Sequence, residues 1–289
     1  IPLLMLGATV GLALCAFLFF LYMLWAGTII TGLFSVAAQV LIPLVTVAIR
    51  PEKIGAVVGF LMSGLLVGIL LSTSLSGLLS YLFHWKSIYI LSALLMLVLA
   101  VLLKKRLPVV SITLMPYSQV FQSMGTLLKH EPRLIFRSLI GGCVFAAMSM
   151  LFSTIAMLLT EPPFHLADVW VGIVTLVGVF GALSTQWIGR WADLGFNRKL
   201  TWLGCSILAL SWGLLYLGGS SLAFYILGYG LINLGLAMVH SCNQNIIFQL
   251  NPIARSRINS IYMTFYFVGG ACGSALGVFA WHHGGWATT

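Results

Sequence analysis

The sequence predicts a polytopic α-helical integral membrane protein, and three observations carry that prediction. Of its 289 residues, 61% are hydrophobic and 7% charged, whereas soluble domains carry about 25% charged residues. Apolar runs repeatedly reach the ~20 residues needed to cross a hydrocarbon core, and the mean hydropathy is +1.09. The basic residues fall in alternate loops, as the topology of a membrane protein requires. The runs are continuous and do not alternate with polar residues, which excludes a transmembrane β-barrel.

Taken in order, the polar breaks leave nine apolar spans: 1–20, 22–49, 54–80, 86–103, 134–158, 168–189, 200–218, 221–248 and 258–281. Residues 1–49 hold no charged side chain. One helix of that length would run about 74 Å, more than twice the hydrocarbon thickness, so the chain must fold back, near Phe19 to Tyr22. Assigning alternate loops to alternate sides puts Arg50, Lys53, Lys104, Lys105, Arg106, Lys129, Arg133, Arg137, Arg190, Arg198, Lys199, Arg255 and Arg257 on one side. Lys86 alone falls on the other. That asymmetry marks the cytoplasmic face. The net charge of +9 is therefore accounted for by orientation, and nucleic acid is not an expected partner.

The longest polar stretch, Lys104 to Arg133, is cytoplasmic and separates four spans from five. Within it Val120, Phe121, Met124, Leu127 and Leu128 recur at helical spacing, which predicts an amphipathic helix at the interface. Cys15, Cys143, Cys205, Cys242 and Cys272 each sit inside an apolar span without metal-ligand spacing, and read as small packing residues. No metal, cofactor or catalytic set is expected. There is no paired His-Glu metal motif, no Gly-x-Ser-x-Gly elbow and no intramembrane Asp pair.

An internal repeat appears at an offset of 201 positions. Pro51 meets Pro252, Gly68 meets Gly269, Ser72 meets Gly273, Ser76 meets Gly277 and Trp85 meets Trp286, without a gap. Gly64, Gly68, Ser72 and Ser76 form one stripe of small residues; Gly269, Gly273 and Gly277 form the other. Such stripes let helix backbones approach closely in lipid. Both copies run from the cytoplasm outward, so the halves are related by an axis along the membrane normal. The chain begins at Ile1, inside an apolar run and without a Met. The offset implies two further helices before Ile1 and one after Thr289, twelve in all.

The stretch Gly189-Arg190-Trp191-Ala192-Asp193-Leu194-Gly195-Phe196-Asn197-Arg198-Lys199 resembles the loop signature of the major facilitator superfamily: Gly, an Asp four residues on, then Gly and two basic residues. The run from Asn243-Gln244 through Ala254-Arg255-Ser256-Arg257, Asn259, Tyr262-Met263-Thr264 and Tyr266-Phe267 to Gly269-Gly270 resembles a bacterial drug/proton antiporter-like, efflux branch of that superfamily. The resemblance implies a helical bundle of two pseudo-symmetric halves, with nine of twelve transmembrane helices present in this chain. Residues 1–103 would be helices three to six, 104–133 the cytoplasmic linker, and 134–289 helices seven to eleven. It further implies proton-coupled export of a small organic solute across a bacterial inner membrane, by a monomer whose partners are lipid, solute and protons. The rival readings are a transporter homologue without activity and a uniporter or sensor of the same fold. This chain departs from the signature at Leu194, where a basic residue is usual, and at Thr28, where many relatives carry an Arg tied to proton coupling.

No Asp, Glu, Lys or Arg lies near the centre of a span, so the chemistry falls to neutral polar residues. Asn233, His240 and Gln244 share one helical face at i, i+7 and i+11, with Asn243 and Asn245 beside them. The repeat sets His240 opposite Gln39, and His240 is the one side chain there that titrates near neutrality. Packing, capping and interhelical hydrogen bonds are the alternatives for all of them. Tyr262, Thr264 and Tyr266, with Ser149, Ser153 and Thr154, are further candidates for lining a cavity. By the resemblance, Gly189, Arg190, Asp193, Gly195, Arg198 and Lys199 form a cytoplasmic gating loop. Its Asp193 would approach the start of the third span near Ile54 to Ala56, where helix N-terminal amides favour a carboxylate.

Overall fold

The computed structural model describes residues 1–17, 21–37, 39–41, 44, 54–106 and 116–289, and every element among them is helical. The chain forms two compact units. Ile1–Val45 with Leu75–Met115 make the first, and Thr46–Ser74 with Pro116–Thr289 the second.

The first unit is built on α1 (Pro2–Ala16), α2 (Leu21–Phe34), the end of α3 (Ile54–Leu82) and α4 (Ser87–Arg106). Gly7 lies against Phe34, Gly11 against Thr31 and Gly27, and Cys15 against Thr28. Partner numbers fall as the first helix advances, so α1 and α2 are antiparallel, as the expected fold-back requires. A Cβ on Gly11 would stand 2.8 Å from the Gly27 carbonyl, and one on Gly27 equally close to that of Gly11. The two backbones therefore cross where neither residue has a side chain. Met5, Ala37 and Ala100 form the buried core of this unit. The rest of the expected second span beyond residue 44, and the basic residues Arg50 and Lys53, lie outside the described residues.

In the second unit α5 (Tyr117–His130) is the helix expected from the linker. Val120, Met124, Leu127 and Leu128 are half-buried along one face, while Phe121 points away and is 69% exposed. That face packs on α6 (Pro132–Thr160) and α11 (Arg255–Thr288). The expected sixth span divides into α7 (Asp168–Thr175) and α8 (Gly178–Trp191), joined by a tight turn in which Leu176 and Val177 donate to carbonyls three residues back. A π turn, Ala192–Phe196, leads to α9 (Asn197–Leu217); α10 (Leu222–Leu250) and a 3₁₀ turn, Pro252–Ala254, precede α11. Asn251 starts that turn by accepting from the amides of Ile253 and Ala254, and Pro252 fills a position whose missing N–H costs nothing.

Among the described residues, seven stretches can cross a membrane by length and composition, and Pro2–Ala16 is a shorter apolar helix. One stretch, Val169–Leu217, is 49 residues long, and it does not run straight. Along α8, Gly178 and Gly181 lie against Asn233 and Leu234; along α9, Gly204 lies against Met238 and Val239, and Leu215 against Gly228. The partner on α10 advances and then retreats, so the chain reverses at the π turn. Gly195 makes the reversal with φ 89, a left-handed conformation that glycine adopts without the clash of a Cβ.

α10 is the axis of this unit, buried on every side from Gly235 to Asn245. α11 and α6 form the closest pair. A Cβ on Gly269 or Gly273 would collide with the backbone of Gly142 or Ala146, and one on Gly277 would stand 2.9 Å from the Met150 carbonyl. The second stripe of small residues thus works as the sequence predicts. The first does not: among the described residues nothing approaches Gly64 or Gly68. The contact face of α3 is instead Gly59, Ser63, Leu70 and Ser74, one helical stripe turned to α7 and α8. Trp286 turns inward and donates to the Leu215 carbonyl at 2.7 Å.

Gly273→Val should unseat α11 from α6, at a cost of several kcal/mol, on the order of the larger overpacking penalties. Gly213→Ala, where a Cβ meets open space, should leave stability unchanged or slightly raised. Thermal unfolding of the two variants in detergent measures the contrast.

Candidate functional site

Two polar assemblies stand in the second unit. The first is at the turn between α8 and α9. Asp193 Oδ2 accepts from the backbone N–H of Ala56 at 3.0 Å, and its Oδ1 from the Asn245 amide at 2.8 Å. Ala56 is in the first turn of α3, where backbone N–H groups lack helical partners, so the carboxylate caps that helix and meets the positive end of its dipole. Asn245 Oδ1 in turn accepts from Asn197 at 3.0 Å and from Gln249 at 2.9 Å, and Asn197 also donates to the Ala192 carbonyl. A chain of amides therefore fixes the π turn to α10.

Further along α3 the contact with α7 and α8 continues. Thr185 donates to the Gly59 carbonyl at 3.0 Å, Gln186 to Ser63 at 3.3 Å, and Ser74 to the Gly172 carbonyl at 2.6 Å. Gly59 admits this approach, since a Cβ there would stand 2.6 Å from the Thr185 carbonyl. Of the other loop residues, Gly189 is buried in α8, Gly195 makes the turn, and Arg190, Arg198 and Lys199 are exposed. The Lys199 ammonium lies over the Phe196 ring at 5.6 Å.

The second assembly is inside the bundle. His240 Nδ1 is 3.1 Å from the Tyr262 hydroxyl, and the His240 ring lies 4.7 Å from that of Tyr266. Tyr266 stacks on Phe145 at 4.1 Å, and Gly141 leaves room for the Tyr262 hydroxyl. Asn243 donates to the Tyr262 hydroxyl at 3.5 Å and to the Arg137 carbonyl at 3.2 Å. Arg137 Nη1 donates back to Asn243 Oδ1 at 3.2 Å and to Thr201 at 3.0 Å. A continuous polar chain thus runs Thr201–Arg137–Asn243–Tyr262–His240, across α9, α6, α10 and α11.

This grouping differs from the one expected along α10 alone. Asn233 stands apart, donating to the Tyr229 carbonyl and filling the space beside Gly178 of α8. Gln244 is fully buried, and its amide has no hydrogen-bond partner among the described residues. Ser149 stands beside Gly270, and Ser153 donates to the Met150 and Ser274 carbonyls, both in the seam between α6 and α11. Thr154 is satisfied by carbonyls of its own helix, and Thr264 is exposed. Gln39 is half-buried in the first unit. Arg137, Thr201 and Asn197 were missed: Arg137, grouped with the orienting basic residues, turns into the bundle to meet Thr201, and Asn197 lies within the loop stretch without being one of its signature residues. Their shared signal was a polar residue within a turn and a half of a helix start.

Removing the Tyr262 hydroxyl takes a partner from His240 and Asn243 at once. Tyr262→Phe should destabilise the protein by about 1–3 kcal/mol, the cost of buried polar groups left unmatched. Tyr216→Phe, at an exposed position, is the control in the same thermal unfolding series.

The family model described as Major Facilitator Superfamily matches residues 2–274. The chain is 39% identical over 268 residues to the "Uncharacterized transporter YgaY" of Escherichia coli O157:H7, covering 92% of this chain and 68% of that protein. It is 27% identical over 240 residues to the "Uncharacterized MFS-type transporter YybF" of Bacillus subtilis (strain 168), covering 81% of this chain and 58% of that protein. A match along nearly the whole chain, over a bundle of membrane-length helices with the Asp193 turn between two of them, places it: the chain belongs to the major facilitator superfamily, whose members are multi-pass membrane transporters and not enzymes.

Proposed function

We propose that this chain exports a small neutral or amphipathic organic solute by alternating access, coupled to protons, as a monomer in a bacterial inner membrane. Its nine apolar spans correspond to helices three to eleven of the twelve-helix family fold, with halves 1–103 and 134–289 joined by the linker 104–133. The observation that carries the reading is the bond between Asp193 and the Ala56 amide. It joins the start of α3, in one proposed half, to the turn between α8 and α9, in the other. A carboxylate on a helix N-terminus is a latch of moderate strength, able to hold one state without locking it.

The solute class follows from what the buried polar chain offers. His240, Tyr262 and Tyr266 supply aromatic faces and neutral hydrogen-bonding groups, and no carboxylate stands among them. His240 is the proton-handling candidate, since imidazole can both donate and accept a proton and its Tyr262 contact begins a hydrogen-bonded chain. Gln244, buried without a partner, is the amide that a solute would satisfy.

Efflux from proteoliposomes with and without an imposed pH gradient tests the reading. Solute flux should follow the gradient, and flux of every tested solute indifferent to it would sink the proton coupling. No flux of any solute would favour the inactive homologue. Asp193→Ala should shift the balance of states by about tenfold, the worth of one charge-assisted bond, read as altered cysteine labelling at the cytoplasmic face. His240→Ala should change the pH dependence of transport; an unaltered profile would remove His240 from the proton path.

A further inference from the structure

The ends of α6, α9 and α10 opposite the α9–α10 turn border an open cavity of about 700 Å³ beside Arg137. Arg133, Arg137 and Arg198 line it together with Phe136, Gln249 and Leu250, and no lining residue is acidic. Arg137 is half-buried, and its hydrogen bonds run to neutral partners, Thr201 and Asn243. Withdrawing a guanidinium from water without a counter-charge is costly. Arg133 and Arg198 are exposed, and among the described residues neither is held by a hydrogen bond or an ion pair. The cavity also reaches Arg133 in the first turn of α6 and Asn197 at the start of α9, where the helix dipoles add partial positive charge.

We propose that this cavity is a binding site for a phosphate-bearing anion, held by Arg133, Arg137 and Arg198. Guanidinium groups match phosphate oxygens in a planar, two-point fashion. Phe136, Ile246 and Leu250 line it as well, so the site offers charge beside apolar surface. The anion supplies the counter-charge that Arg137 lacks. Because Arg137 also grips Asn243, occupancy is felt along the polar chain to His240. The same phosphate chemistry is presented by an acidic phospholipid headgroup and by a phosphorylated cytosolic solute. The proposal does not depend on what the protein transports.

The test is thermal unfolding of the full purified chain in neutral detergent, titrated with phosphatidylglycerol, phosphatidylcholine or inorganic phosphate at constant ionic strength. Stabilisation by phosphatidylglycerol alone assigns a lipid headgroup, and stabilisation by inorganic phosphate as well assigns a soluble anion. Arg133→Gln with Arg198→Gln, at exposed positions that leave the buried Arg137 in place, should weaken the response by about tenfold or more. Arg137→Gln should weaken it further where that variant folds. No response to either phosphate compound overturns the site, as does an undiminished response in the double variant, which would leave these arginines as solvated orienting charges.

Discussion

Lipid tails are as apolar as the side chains they surround, so two helices gain by meeting only when their backbones come close enough to pack atom against atom. In the second unit that condition is met where Gly269 and Gly273 of α11 rest on Gly142 and Ala146 of α6. The polar chain depends on this contact. With α11 held so near, Tyr262 can bring its hydroxyl over Gly141, and Tyr266 can stack on Phe145. Both tyrosines then face His240. A side chain at either glycine would push α11 outward and open the hydrogen bonds that join three helices.

Within that frame the polar groups obey the same constraint as the backbone, since no water inside the bilayer can satisfy them. Asn243 shows the consequence, giving its amide to Arg137 and Tyr262 while its oxygen accepts from Arg137. Asn245, two residues on, serves the other assembly by donating to Asp193. One helix therefore supports the buried cluster and the Asp193 turn, and a shift of α10 would be felt at both. Gln244, between them, is the exception, buried and unmatched.

The two charged residues that matter most solve opposite problems. Asp193 is a negative charge at the positive end of a helix, supported by amides on both oxygens. Arg137 is a positive charge among neutral acceptors, and its environment is complete only if an anion joins it. The first needs nothing from outside the chain. The second leaves an arginine-lined cavity open at the ends of α6, α9 and α10.

Much of the bundle was legible in the sequence because length and hydropathy are local properties, and lipid imposes them residue by residue. The membrane class, the fold-back between α1 and α2, the linker helix α5 and the glycine stripe of α11 all rest on such patterns. The Asp193 turn was legible as well, through a resemblance carried by a short contiguous motif. What the sequence could not decide was which faces meet. Gly64 and Gly68 have the same spacing as Gly269 and Gly273 but lack a described neighbour, while Gly59, Ser63 and Ser74 take the contact. Asn233 and His240 share a face of α10, yet one fills a gap at α8 and the other meets α11, because crossing helices present different neighbours at different heights. Arg137 was read by its charge and place in the chain as an orienting residue. Only the tertiary structure, by setting Thr201 and Asn243 within reach of its guanidinium, turned it inward.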